Sequence, residues 1–173
     1  LQLIRELLPE KSGVTVLWDQ ASAEYWRGLQ AAAPRYGLRL TGVELRERPY
    51  DYERALASVA PADREFLIAN SSPFFFLDRV LLADLAKAHR IGSFVGAAEA
   101  VAAGSLMTYG ASLTELFGLS ATYVDRIAKG AKPSDLPVQQ PVRFQLTLNL
   151  KTANAIGLVI PPTLLAQADE VIE

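Results

Sequence analysis

The strongest constraint in this chain is a rhythm in which short β-branched or aromatic runs alternate with longer helical patterns. Val14-Thr15-Val16-Leu17-Trp18 reads as a buried strand, and residues 22–36 as a helix. Residues 38–45, Phe66-Leu67-Ile68-Ala69 and Ser93-Phe94-Val95 repeat the strand pattern, with helices predicted over 50–59, 73–89 and 97–102. Strands alternating singly with helices require right-handed βαβ units and a parallel sheet covered on both faces. The expected fold class is therefore α/β, a Rossmann-like parallel sheet with helices on both faces. Punctuation agrees. Gly37, Gly104 and Gly130 sit where helix ends need a left-handed residue. Pro73 lies just inside a helix start with Ser71 or Ser72 placed to cap it. Pro34 should end or kink the first long helix early.

The rhythm breaks after Gly104. Residues 105–109 form a short extended piece. Residues 112–129 form a helix carrying Leu116, Leu119, Tyr123 and Ile127 on one stripe. A proline-containing connector over 132–141 leads to a strand at 144–148, a helix at 151–156 closed by Gly157, and a last turn and extended piece over 161–173. Two connectors, near Gly104 and near Pro133–Pro141, are the only plausible internal boundaries. The chain begins without Met inside an amphipathic helical pattern, which reads as the start of an excised piece.

Composition excludes several classes. At 173 residues, half of them apolar, the chain supports a real core, and a net charge of −2 with no Lys/Arg cluster argues against a nucleic-acid partner. With no cysteine there is no disulfide, thiolate metal site or cysteine nucleophile. His89, the only histidine, sits in Lys87-Ala88-His89-Arg90 at a helix end, where the helix dipole favours a cation. No nucleophile elbow, phosphate-binding glycine loop or zinc helix is present, so no catalytic residue, metal or cofactor is expected.

In open parallel sheets, ligands gather at the carboxyl ends of strands. That rule selects Trp18, Asp19, Gln20 and Ser22 after the first strand, and Asn70, Ser71, Ser72 and Phe74 after the third. Asn70-Ser71-Ser72-Pro73 offers hydroxyls and backbone amides suited to an anionic oxygen, and equally fits a serine N-cap behind an Asn turn. Trp18-Asp19-Gln20 offers an aromatic wall and a carboxylate for an amine, or simply the end of a buried strand. Of the three rings Phe74-Phe75-Phe76, two are expected in the core and at least one in the cleft.

Several stretches together resemble a known family. Gly104-Ser105-Leu106-Met107-Thr108-Tyr109-Gly110, the run from Tyr123 to Val138 (Tyr-Val-Asp-Arg-Ile-Ala-Lys-Gly-Ala-Lys-Pro-Ser-Asp-Leu-Pro-Val), the stretch from Phe144 to Gly157, and the ending Ile160-Pro161-Pro162-Thr163-Leu164-Leu165 are all similar to ABC-transporter substrate-binding proteins. That family includes tryptophan and tyrosine binders. The resemblance implies one lobe of a type I periplasmic-binding-protein clamshell, with 1–104 and 141–173 forming the C-terminal lobe. Residues 105–140 would then be a hinge crossover and a helix that packs on a separate N-terminal lobe. It also implies a small polar or zwitterionic ligand, such as an amino acid, held by Trp18, Asp19, Gln20, Ser22, Asn70, Ser71, Ser72, Phe74 and Tyr109. The serines would hold a carboxylate, Asp19 an amino group, and Trp18 or Phe74 an apolar part. ABC permease subunits follow as partners, and a periplasmic or lipid-anchored location outside the cytoplasmic membrane. The alternative is the effector-binding domain of a transcription regulator that shares the clamshell. The excised lobe is expected to self-associate through its unpartnered helix.

Overall fold

The computed structural model describes all 173 residues except Lys11, Asn70, Ala97 and Val142, and describes Leu113 by its backbone alone. The first half runs α1 (Gln2–Leu7), β1 (Gly13–Trp18), α2 (Ala23–Ala32), β2 (Arg39–Glu44), α3 (Tyr52–Ala57), β3 (Phe66–Ala69), α4 (Pro73–Leu77) and α5 (Arg79–Ala88). The second half runs β4 (Gly92–Val95), α6 (Ala98–Ala102), β5 (Met107–Ala111), α7 (Leu113–Ala128), β6 (Phe144–Asn149), α8 (Leu150–Ile156), α9 (Pro162–Leu165) and β7 (Glu170–Ile172).

The strands form a single sheet in the order β2-β1-β3-β4-β5-β6-β7. The first five are mutually parallel, as the alternating pattern requires. β6 is antiparallel to β5, with Met107 opposite Leu148, and β7 is parallel to β6. The sheet is thus mostly, not wholly, parallel. The chain leaves the carboxyl end of β5 through α7 and re-enters the sheet at that same end, which compels β6 to run backwards.

Period-two alternation sends side chains to two cores. Val14 and Val16 of β1, with Phe66 and Ile68 of β3, join Ile4, Trp26 and Leu164 on one face. Leu17, Leu67 and Ala69 join Tyr52, Leu56, Phe75, Leu82 and Ala100 on the other. Helices α1, α2, α8 and α9 cover the first face, and α3 to α6 the second. A strand buried on both sides explains why β3 reads as an unbroken apolar run.

Two helices end differently from their predicted spans. α2 stops at Ala32 and tightens into a 3-10 turn over Ala33–Tyr36, with Pro34 in its first positions and Gly37 left-handed at φ 60°. The expected helix over 73–89 is broken at Asp78, where the backbone turns to φ −90°, ψ 14°. That turn lets α4 send Phe75 and α5 send Leu82, Ala83, Leu85 and Ala86 into the same core. The Asp78 carboxylate accepts a 2.7 Å hydrogen bond from the Tyr52 hydroxyl and faces Arg48 at 3.5 Å. Burial, and then the Asp78 carboxylate, push the Tyr52 phenol far above its ordinary range, so it stays a donor.

Among its described side chains, α7 contributes no buried residue. On the predicted stripe, Leu116, Leu119 and Tyr123 are half-covered, and the Tyr123 hydroxyl donates to the Pro137 carbonyl at 2.6 Å, which ties the connector along the helix. Its more open apolar side carries Phe117, 73 % exposed, Val124 and Ile127. Among the described residues, no helix is long and apolar enough to cross a membrane.

Candidate functional site

The strand order places a topological switch at β1 and β3. The connection leaving β1 passes to β2 on one side, while the chain reaches β3 on the other. Crevices open at the carboxyl ends of such strands, and this edge holds two depressions separated by the Asp19–Ser72 contact. One is a cleft of about 530 Å³ at the ends of β3, β4 and β5, bounded by Ser71, Ser72, Phe76, Thr108, Tyr109, Gln145, Thr147, Glu99 and Glu170. The other is a groove of about 560 Å³ between Trp18, Asp19, Gln20, Arg46, Arg48, Tyr50 and Phe74.

Asp19 is the centre of this edge. Its residue is only 2 % exposed. Oδ1 accepts from the Ser22 amide at 3.0 Å and the Ser22 hydroxyl at 2.8 Å, while the Asp19 amide donates back to Ser22 Oγ at 2.9 Å. This reciprocal pairing is a capping box at the turn that opens α2. Oδ2 accepts from Ser72 Oγ at 2.5 Å and Tyr50 Oη at 3.1 Å. Burial alone would raise the carboxyl pKa, but the bonds from Ser72, Ser22 and Tyr50 outweigh it and hold the group below its ordinary value. Burial and the bond to Asp19 raise the Tyr50 phenol in turn. One ionised carboxylate therefore ties together the loops after β1, β2 and β3.

The predicted site residues fall into two sets around this tie. Trp18, Gln20 and Phe74 line the groove, with Trp18 stacked on Trp26 at 6.4 Å and Arg48 lying over the Phe74 ring at 4.3 Å. Ser71, Ser72 and Tyr109 line the cleft, with Tyr109 stacked on Phe144 at 5.8 Å. Asn70 lies outside the described residues. Ser22 is buried within the capping box and faces neither depression. Ser72 is the N-cap of α4 and accepts from the Phe74 amide at 3.2 Å. Ser71 adopts φ 61°, a left-handed conformation uncommon outside glycine, which turns the chain sharply at the cleft wall. Of the three consecutive rings, only Phe75 is in the core. Phe74 faces the groove and Phe76 the cleft, because α4 is a short helix lying along the rim.

Several lining residues escaped the sequence reading, although the signal was present. Gln145, Thr147 and Asn149 alternate with Leu146 and Leu148 along β6, which marks a polar face on one side of that strand. Gln145 and Thr147 open onto the cleft, while the Asn149 amide donates to the Val101 carbonyl at 2.9 Å. Thr108 is buried, and its hydroxyl donates to the Gly96 carbonyl at 2.6 Å. Among the described residues, no cluster of His, Cys, Asp or Glu is arranged to hold a metal ion.

Comparison with known proteins gives this architecture its class. The family model described as ABC transporter substrate binding protein matches residues 1–172. The chain belongs to that family, whose character as a substrate-binding family agrees with the expectation of a non-catalytic protein. Comparison with curated proteins gave no match. Among solved structures, the fold is similar to a conserved domain protein from Vibrio cholerae, with TM-score 0.86 and 22 % identity over 98 % of this chain and 57 % of that one. It is also similar to an ABC domain in complex with L-Trp from Streptococcus pneumonia, with TM-score 0.84 and 20 % identity over 98 % and 58 %. A ligand-free, open substrate binding protein with adhesive properties from Clostridium difficile gives TM-score 0.70 and 16 % identity over 99 % and 58 %. The chain thus spans less than three-fifths of these structures.

Proposed function

We infer that this chain is one lobe of the solute-binding component of an ABC importer, holding a small polar or zwitterionic ligand against the carboxyl edge of its sheet. The observation that carries the reading is the 530 Å³ cleft at the switch point, walled by Phe76, Tyr109 and hydroxyl side chains, in a member of a substrate-binding family. Its volume suits a small solute, and an apolar wall with few directional polar groups is the usual make-up of such sites. Ser71, Ser72 and Tyr109 face that solute from the cleft, Trp18, Gln20 and Phe74 from the groove, and Asp19 with Ser22 supports them from below. Amino acids are the first candidates, a choice supported by the L-Trp bound in the Streptococcus structure. In this reading the protein works outside the cytoplasmic membrane, free in the periplasm or held by a lipid anchor, and delivers its solute to permease subunits. A thermal-shift screen of amino acids on the full-length protein tests it. A ligand at a hundredfold excess over its Kd stabilises by about 2.7 kcal/mol, a rise of several degrees. No shift with any amino acid would turn the search to other polar solutes.

The same reading assigns 1–104 and 141–173 to the lobe and 105–140 to a crossover whose helix α7 meets a second lobe. The exposed side of α7 at Phe117, Val124 and Ile127 supports this. Expressed without that partner, the 173-residue chain is expected to self-associate, because contiguous exposed apolar surface seeks another surface. Light scattering should show a dimer or larger species that a Phe117→Glu, Val124→Glu variant returns to monomer. A monomeric parent would show that α7 needs no partner.

A further inference from the structure

Among the described residues, every aromatic ring lining the two depressions but one packs on another ring. Trp18 stacks on Trp26 at 6.4 Å. Phe74 meets Tyr50 edge-on at 6.2 Å and carries the Arg48 guanidinium on its face. Tyr50 also packs on Tyr52 and Phe75, and Tyr109 stacks on Phe144. The exception is Phe76, half-buried on the cleft wall. A cation covers it instead. The Arg79 guanidinium lies over the Phe76 ring, 4.8 Å from its centroid, and also donates to the Phe76 carbonyl at 2.9 Å. Arg79 does not line the cleft, so the ring stands between the guanidinium and the cleft. The direction of that ring is set by its neighbours as well. Successive residues of a helix lie about 100° apart around its axis. Phe74 is held in the groove by Arg48, and Phe75 is buried against Tyr50 and Tyr52. With those two rings pinned, α4 has one orientation on the rim, and in it Phe76 turns to the cleft.

We propose that Phe76 is the specificity-determining residue for an apolar part of the solute, and that Arg79 is the positioning residue that holds its ring against the cleft. The proposal rests on the solute-binding reading and deepens it. It moves the apolar contact expected of Trp18 or Phe74 to a ring that no other ring occupies. A ring whose backbone, outer face and neighbours are all held is ordered before the solute arrives, which lowers the cost of binding. The solute it favours carries a large uncharged side chain, whose apolar surface leaves water against that ring.

The test is calorimetric titration of the full-length protein with L-phenylalanine and L-alanine, two probes that differ only by a ring. The parent should bind phenylalanine about tenfold or more tighter, the scale of burying one aromatic side chain in part. Phe76→Ala should remove about tenfold of that preference and leave alanine within about twofold. Arg79→Ala should narrow the preference about threefold, and Arg79→Lys, which keeps the cation, should restore part of it. A residue needed only for stability would weaken both probes by one factor. Leu77→Ala is the control, since Leu77 is exposed on the same helix and lines neither depression. It should leave both affinities within about twofold. If Phe76→Ala fails to fold, the two Arg79 variants decide. A parent without preference for phenylalanine, or a Phe76→Ala variant that weakens both probes equally or neither, overturns the proposal while solute binding stands. Silence toward both probes overturns it together with the amino-acid reading.

Discussion

Replacing Asp19 by alanine should destabilise the chain by about 3 kcal/mol at pH 7, since it removes a buried acceptor of charge-assisted bonds and strands their donors. Ser72 and Tyr50 would each lose the acceptor of their hydroxyl proton, and the Ser22 amide at the start of α2 would lose its cap. The loss depends on pH in a definite sense. Asp19 is held below its ordinary pKa by Ser72, Ser22 and Tyr50, against the opposing effect of burial. Its ionised form is thus favoured by folding. The resulting stability is fully present above the unfolded-state value of about 3.9 and disappears as pH falls through the lower folded-state value. Urea denaturation of parent and Asp19→Ala at pH 7 and pH 3 should show a wide gap that narrows in acid. A gap of unchanged width would mean that the side chain matters for its packing and not for its charge.

The same residue shows which part of the molecule the sequence discloses and which it withholds. The two-faced strands were legible because burial on both sides leaves an unmistakable apolar run, as in Phe66-Leu67-Ile68-Ala69. Caps and stops were legible too, at Gly37, Gly157, Pro34 and Ser72, because each answers a local backbone requirement. The reversal of β6 was not. Strand direction depends on where a long excursion re-enters the sheet, and a period-two pattern is identical in either direction. Nor was the break at Asp78 legible, because it is imposed by Tyr52 and Arg48, 26 and 30 residues upstream. For the site, the strand-end rule found both rims, yet it assigned Asp19 to a ligand amine. Only the folded geometry brings Ser72, 53 residues away, onto one of its oxygens and makes this groove-lining carboxylate a tie between loops as well.

The largest change in affinity is expected between this chain and the full-length protein. The cleft and groove are open depressions along one sheet edge, so a solute lying there presents its outer side to water. Binding proteins that enclose small ligands bury some 70–90 % of the ligand surface. A single lobe covers roughly half of that, leaving on the order of 100 Å² of ligand uncovered, about 2–3 kcal/mol at 25 cal/mol per Å² if that area is apolar. Polar groups on the far side of the ligand stay hydrated, so each hydrogen bond to a charged group that a second lobe would supply is forgone, about 1.5–3 kcal/mol apiece. Together these terms put the isolated chain at least about a hundredfold weaker than the full-length protein, and beyond detection if the intact affinity is micromolar. Side-by-side calorimetry on the two, with the solute found by the thermal-shift screen, measures the difference. The Phe117→Glu, Val124→Glu variant should be used for the chain, so that self-association does not mask the cleft. Equal affinities would mean that the carboxyl edge of this one sheet recognises its solute unaided, and the clamshell reading would fall.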